Sequence, residues 1–293
     1  MTTSVTMLII GKPGKWRKDK MEKVLVVGST GMLGYAVSSY YKSNGYEVVE
    51  ISRNEFDIAN DPMSKLETFL NSVDVVINCA GVIKPTIAKN TIENVLKINS
   101  LFPRNLAKVC DKNGIKCFHI TTDCVYTGKK GNYDENDYFD ADDMYGLSKN
   151  AGENKDCIVI RTSIIGEEKG QSRSLLEWAK SQAGKEVNGF TNHKWNGVTT
   201  LYLAEVIENI LKNDLYQKGI FHVHSPNTVN KYELLQIFDE VYELKFSKIN
   251  ATEAKEAIDR SIATVYDLSS KVCTKTLQQQ VKEMREYFQT VEV

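Results

Sequence analysis

The chain has 293 residues, 42% of them apolar and 26% charged, and its 37 Lys and Arg nearly balance its 38 Asp and Glu for a net charge of −1. That balance leaves no basic face for nucleic acid, and no apolar run approaches the roughly 18 residues of a membrane span. Six cysteines (Cys79, Cys110, Cys117, Cys124, Cys157, Cys273) lie without CxxC spacing, so no metal site or disulfide framework is expected, and reduced thiols in a cytoplasmic protein are.

Residues 1–20 read as an N-terminal extension, because Met21 stands just before the first strand and Lys12, Lys15, Arg17, Lys18 and Lys20 form a basic run. A first strand is predicted over 23–28. It runs into Gly28-Ser29-Thr30-Gly31-Met32-Leu33-Gly34 and a helix over 32–43. Glycines at that spacing between a buried strand and a helix make a phosphate cradle. Gly28 allows the tight turn, Gly31 lets the backbone approach a pyrophosphate, and Gly34 lets the helix pack on the sheet, with Thr30, Met32 and Leu33 completing the turn. The second strand, 46–51, ends at Ser52-Arg53. An NAD-selective site would place a carboxylate there for the ribose 2′-hydroxyl. Ser52 and Arg53 suit a 2′-phosphate instead and point to NADPH, with NADH the alternative. Asp57 and Ile58 follow as candidates to flank the adenine, and the third strand, 74–79, closes on small residues, Cys79-Ala80-Gly81.

Helices are expected near 63–71, 93–112 and 142–154, and strands at 115–121 and 156–162. Strand-like runs alternating with helical ones predict an α/β protein with a doubly wound parallel sheet. After Arg161 the alternation becomes irregular, with helical stretches near 172–183, 199–212, 230–242 and 276–289. Residues 21–165 are therefore read as the nucleotide-binding domain. Residues 166–293 are read as a smaller, discontinuous substrate lobe with segments returning to the first domain.

Tyr145 and Lys149 are four apart and share one face of a helix. An ammonium there lowers the phenol pKa, and the phenol can pass its proton to a carbonyl oxygen while hydride reaches the carbon. Thr122, at the end of the fourth strand, offers a hydroxyl to the same oxygen.

With those residues in place, four segments in order resemble the extended short-chain dehydrogenase/reductase family, and within it the dTDP-4-dehydrorhamnose reductase group. They are the glycine turn, Thr121-Thr122-Asp123-Cys124-Val125-Tyr126-Thr127-Gly128, Tyr145-Gly146-Leu147-Ser148-Lys149-Asn150-Ala151-Gly152-Glu153 and Val159-Ile160-Arg161-Thr162-Ser163. The resemblance implies a Rossmann-type domain and a catalytic triad of Thr122, Tyr145 and Lys149. It places Asn99 with the cofactor, Arg161-Thr162-Ser163 on the nicotinamide side, and Asp123, Cys124, Arg173, Trp195 and Asn196 with the substrate. The implied reaction is NADPH-dependent reduction of a nucleotide-linked 4-keto-6-deoxyhexose. A nucleotide sugar is then the partner to expect, with a homodimer as the candidate assembly.

Two residues depart from that group. Ile164 stands where its reductases commonly carry a tryptophan after Arg-Thr-Ser, and Trp195 is the aromatic that replaces it or, equally, a buried loop anchor. Cys124 stands where an aromatic is usual, and it resembles the catalytic cysteine of enzymes that epimerise at C3 and C5 before reducing. The acid or base partner such chemistry needs falls to Arg173, which cannot cycle a proton, or to Lys169. A bifunctional 3,5-epimerase/4-reductase is therefore the second reading. A third is a regulatory subunit that binds NADP without turnover, like that of methionine adenosyltransferase; loss of Tyr145 or Lys149 would favour it, and both are present.

Overall fold

The computed structural model describes residues 22–170 and 174–291. The extension at 1–20 and Arg173 lie outside the described residues. Six strands form the central sheet: β1 (Lys23–Val27), β2 (Glu47–Ile51), β3 (Val75–Asn78), β4 (Lys116–Thr122), β5 (Ile158–Thr162) and β6 (Gly219–His222). Their order is β6-β5-β4-β3-β1-β2, and every pair is parallel.

Apolar side chains on both faces explain why these short runs are strands at the centre of the molecule. Val24, Val26, Ile77, Phe118, Ile120, Ile158 and Ile160 point to one face, against the helices α1 (Met32–Ser43) and α5 (Thr200–Lys212). Leu25, Val27, Val76, Cys117 and Val159 point to the other, against α3 (Phe102–Lys112) and α2 (Met63–Glu67). The chain runs from β1 outward to β2 and then returns to β3 on the opposite side of β1. Such a reversal opens a crevice at the carboxyl ends of the two strands, where ligands of doubly wound sheets bind.

The sixth strand was not expected. Gly219–His222 begins on glycine and ends on histidine, so it lacks the apolar run that marks β3 at the same length, yet it pairs with β5 from Gly219↔Ile158 to His222↔Arg161. The helix expected over 93–112 begins at Ile92 and is interrupted by a π turn at Lys97–Leu101, closed by Phe102 N–H donating to the Lys97 carbonyl. Pro103 supplies the cause, since it lacks the N–H that would have bonded the Asn99 carbonyl one α-turn back. That carbonyl instead faces Gly152, where a Cβ would come within 2.0 Å of it.

The second half builds its own core from Leu176, Trp195, Leu234, Phe238, Val281, Met284 and Phe288, which also receives Ala36 of α1. Around it stand a parallel pair, Glu186–Phe190 with Lys248–Thr252, and a three-stranded sheet ordered Val229–Asn230, His193–Trp195, Ile258–Asp259. All six cysteines are free thiols. Among the described residues no helix is long and apolar enough to cross a membrane, and no cluster of ligating side chains fits a metal.

Candidate active site

The glycine turn sits at the mouth of the crevice. Gly28 has φ +80°, and a Cβ on it would lie 2.9 Å from the Ala80 backbone, so only glycine lets the ends of β1 and β3 come this close. A Cβ on Gly34 would lie 2.1 Å from the Gly28 carbonyl, which fixes how tightly α1 packs on the turn. Gly31 caps α1 without a side-chain hydrogen bond, and no acidic residue occupies the first turn. The helix thus presents its N–H groups and positive end to the crevice, beside exposed Thr30 and half-buried Met32. These are features a dinucleotide pyrophosphate requires, so the residues fit such a cofactor.

At the end of β2 the geometry is more specific than the sequence suggested. The Ser52 N–H and hydroxyl both donate to Glu55 Oε2, at 2.8 and 2.6 Å, and hold the Glu55 carboxyl below its usual range. Ser52 is therefore occupied by a carboxylate, while Arg53 extends exposed beside it. Asp57 is also occupied: its carboxylate accepts from the Ala59 N–H and the Asn60 amide and shapes the turn. Ile58 packs half-buried between two apolar clusters.

Asn99, within the π turn, spends its side-chain hydrogen bonds on the protein itself, where the expectation had it meeting the cofactor. Its Oδ1 accepts from Val82 N–H at 2.8 Å, and its Nδ2 donates to the Val82 carbonyl and to Ser148 Oγ, each at 3.0 Å. It braces the loop after β3 against α4 (Met144–Gly152). Gly81 is thereby placed so that a Cβ on it would stand 3.4 Å from Asn99 Oδ1 and 3.6 Å from Lys149 Nζ.

The helix α4 starts with Asp143 as N-cap, its Oδ1 accepting from Gly146 N–H at 2.7 Å. Gly146 lets α4 settle on the turn after β4, because a Cβ there would come within 2.4 Å of the Cys124 carbonyl. Tyr145 is thus brought within hydrogen-bonding reach of Thr122, with Cys124 and Asp123 as neighbours. Burial raises the phenol pKa above its ordinary value, Cys124, Asp123 and Asp143 add to the rise, and the Thr122 hydroxyl opposes it. This corrects the expectation of a lowered phenol. Lys149 directs its Nζ to the Ile120 carbonyl at 2.9 Å, and burial keeps the Tyr145 phenol in its protonated, acidic form. Burial brings the Lys149 ammonium down to about 8, against the opposing pull of Glu153 and Cys79.

Cys124 lies beside the phenol, half-buried, its thiol pushed up to about 12 by burial and by Asp123. Asp123 is buried, and its carboxyl is raised by that burial while Arg260 and Lys231 pull it down. Neither cation was anticipated. Arg260 is held by its Nε donating to the Tyr126 carbonyl at 3.1 Å, and Lys231 opens the helix Lys231–Tyr242, where burial lowers its pKa and Asp123 opposes that fall. Only the tertiary fold brings these two positions to Cys124.

Other substrate expectations are corrected. Trp195 is buried in the core of the second half, with Gly197 against its indole, so it is the loop anchor. Asn196 has both ends of its amide bonded to Ile262, Nδ2 to the carbonyl at 2.7 Å and Oδ1 from the N–H at 3.0 Å, which pins one loop to another. Lys169 stacks its ammonium over the Tyr35 ring at 5.5 Å. Arg161 forms a buried ion pair with Glu153, so it does not reach for a nicotinamide.

The family model described as RmlD substrate binding domain matches residues 21–292. This chain belongs to that family. Among its relatives, the spore coat polysaccharide biosynthesis protein SpsK of Bacillus subtilis is 27% identical over 241 residues, covering 79% of this chain and 83% of its own. A dTDP-4-dehydrorhamnose reductase of Mycolicibacterium smegmatis is 27% identical over 52% of this chain and 53% of its own. The methionine adenosyltransferase 2 subunit beta of Danio rerio is 25% identical over 78% of this chain and 76% of its own. The crystal structure of dTDP-4-dehydrorhamnose reductase from Bacillus anthracis in complex with NADP superposes with a TM-score of 0.76 at 20% identity, covering 90% of this chain and 99% of that one. At that identity the likeness speaks for the fold.

Proposed function

We propose that this protein is an NADPH-dependent reductase of a nucleotide-linked 4-keto-6-deoxyhexose. The observation that carries the reading is the convergence of Thr122, Tyr145 and Lys149 at the carboxyl edge of the sheet, next to the crevice between β1 and β3. In that reading the backbone of Gly28, Thr30, Gly31, Met32 and Leu33 holds the pyrophosphate, and Arg53 with Ser52 meets the 2′-phosphate. Ile58 and Cys79-Ala80-Gly81 line the crevice. When bound, the reduced nicotinamide supplies a hydride to the carbonyl carbon.

The chain's own residues do the rest. Tyr145 Oη donates its proton to the carbonyl oxygen, and the Thr122 hydroxyl holds that oxygen within reach. The Lys149 ammonium binds ribose hydroxyls and stabilises the phenolate left on Tyr145. Asp123, Cys124, Lys231 and Arg260 face the sugar nucleotide, the two cations suiting its diphosphate. Exposed Ile92, Leu96, Leu101 and Leu147 are apolar side chains that a homodimer would cover.

The likeness to a methionine adenosyltransferase subunit gives the regulatory reading some support, but a binding-only subunit has no need of a placed acid and a buried lysine beside it. The deciding experiment offers the purified protein NADPH with dTDP-, UDP- and GDP-linked 4-keto-6-deoxyhexoses and follows loss of NADPH absorbance. Turnover of one is expected. NADPH binding with no turnover of any would overturn the proposal.

A further inference from the structure

Behind Lys149 lies a patch of buried polar side chains that the reductase reading does not use. Along β4 the residues alternate faces, so His119 and Thr121 share the face of Cys117, on the side of α3. Asn78 on β3 is in register with His119, and all three side chains are buried.

Their hydrogen bonds fix the protonation of the ring. Asn78 Oδ1 accepts from the Ala80 N–H at 3.1 Å, so its amide can point only one way, with Nδ2 donating to His119 Nδ1 at 3.1 Å. The imidazole proton therefore sits on Nε2. Burial, with Lys149 nearby, keeps the ring neutral. Yet His119 Nε2 and Thr121 Oγ1 have no protein partner. Between these two residues in sequence stands Ile120, whose carbonyl takes one of the three Lys149 ammonium protons at 2.9 Å. A buried donor, a buried acceptor and an ammonium in one neighbourhood are the polar partners that an ordered internal water, typically making about three hydrogen bonds, calls for.

We propose that a buried water links the Lys149 ammonium to His119 and Thr121, and that these two are positioning residues holding Lys149 charged. The water accepts from Lys149 Nζ and His119 Nε2 and donates to Thr121 Oγ1. Other groups facing Lys149 are Glu153, just past the end of its helix, and Cys79, just past the end of β3, while Arg161 on β5 pairs with Glu153. The consequence for reduction rests on Lys149 having the role given above. The water site does not.

The test is an NMR titration of the Lys149 side chain in the free protein, assigned with Lys149→Arg, alongside the pH dependence of reduction. Thr121→Val keeps the shape and removes one water ligand. We expect the Lys149 midpoint to fall by about one pH unit, the scale of a lost hydrogen bond to a charged group, with the basic limb of reduction moving down alongside it. His119→Phe should act in the same direction, and His119→Gln, whose amide can reach the Nε2 position, should restore the midpoint. An unmoved midpoint in a more stable Thr121→Val protein would overturn the proposal, because deleting a truly unsatisfied hydroxyl relieves strain and leaves Lys149 alone. A shifted midpoint with an unchanged pH–rate profile would support the water and overturn the catalytic reading of Lys149 instead.

Discussion

Arg161 and Glu153 meet in a buried two-point ion pair, Nε to Oε1 at 2.8 Å and Nη2 to Oε2 at 2.6 Å, where α4 hands over to the chain leading into β5. The third arm of the guanidinium donates to the Tyr126 hydroxyl at 2.9 Å, and the Tyr126 ring stacks on Tyr133 at 4.3 Å. Glu153 also lies one turn beyond Lys149 and counters the burial that drives its proton off. One carboxylate thus serves the fold through Arg161 and the site through Lys149.

Removing Arg161 alone leaves a carboxylate buried without its partner. Arg161→Met should therefore cost about 3–5 kcal/mol in urea unfolding, whereas Arg161→Met with Glu153→Gln should recover much of that loss. Equal loss in the single and double variants would mean that packing, rather than the stranded charge, sets the cost.

The Tyr145 phenol is held protonated next to Thr122. Tyr145→Phe should lower turnover by about 10² to 10⁴, the range of general-acid catalysis, with folding and NADPH affinity kept. Near-wild-type turnover in the folded variant would remove Tyr145 from the mechanism.

What was legible in the sequence was local. The glycine turn and the Tyr145–Lys149 spacing need only a strand, a turn and a helix to acquire meaning, and they fall where they were placed. The β-branched runs marked five strands of the sheet because both faces are buried. Lys231, Arg260 and the Arg161–Glu153 pair carry no such signal, since partners distant in sequence are joined by the topology alone. Trp195 was open to two readings because an aromatic in a loop looks the same whether it faces solvent or core, and nothing local to Asn196 showed that Ile262 would take both ends of its amide. Pro103 was a visible sign of the π turn, its missing N–H falling one turn after Asn99.

Lys149 makes a linkage prediction with a definite sign. Its folded pKa, about 8, lies below the value near 10.4 of an unfolded lysine. The unfolded chain thus binds more protons between these values, and stability rises with pH across that window. Below about pH 8 the buried ammonium imposes its full penalty; above about 10.4 the penalty is gone. Lys149→Met should consequently stabilise the free protein at pH 7, on the order of 3 kcal/mol, with the gain fading toward pH 10.5. Urea unfolding at both pH values checks this, and a variant destabilised at both would contradict it.

Cofactor choice turns on Arg53 and on the carboxylate beside it. Arg53→Ala should weaken NADPH by about 1.5–3 kcal/mol, the scale of a charge-assisted hydrogen bond, and leave NADH nearly unchanged. Because Glu55 already takes both Ser52 donors, a 2′-phosphate has to compete with it, and Glu55→Gln should tighten NADPH more than NADH. Parallel changes for both cofactors in titration calorimetry would confine these residues to shaping the loop.

Cys124 separates simple reduction from epimerisation followed by reduction. Epimerisation removes the proton next to the keto group, so an epimerising enzyme in D₂O without reducing cofactor places deuterium at C3 or C5 of the sugar. A thiol pushed up to about 12 is overwhelmingly protonated at neutral pH and makes a poor base. Lys169, one of the two candidate partners, instead covers the Tyr35 ring. We expect no exchange above background, Cys124 forming one wall of the sugar site, and Cys124→Ser retaining reduction. Exchange that disappears in Cys124→Ser would instead make the enzyme bifunctional. Lys231, a buried amine close to both Asp123 and Cys124, would then be the first partner to substitute.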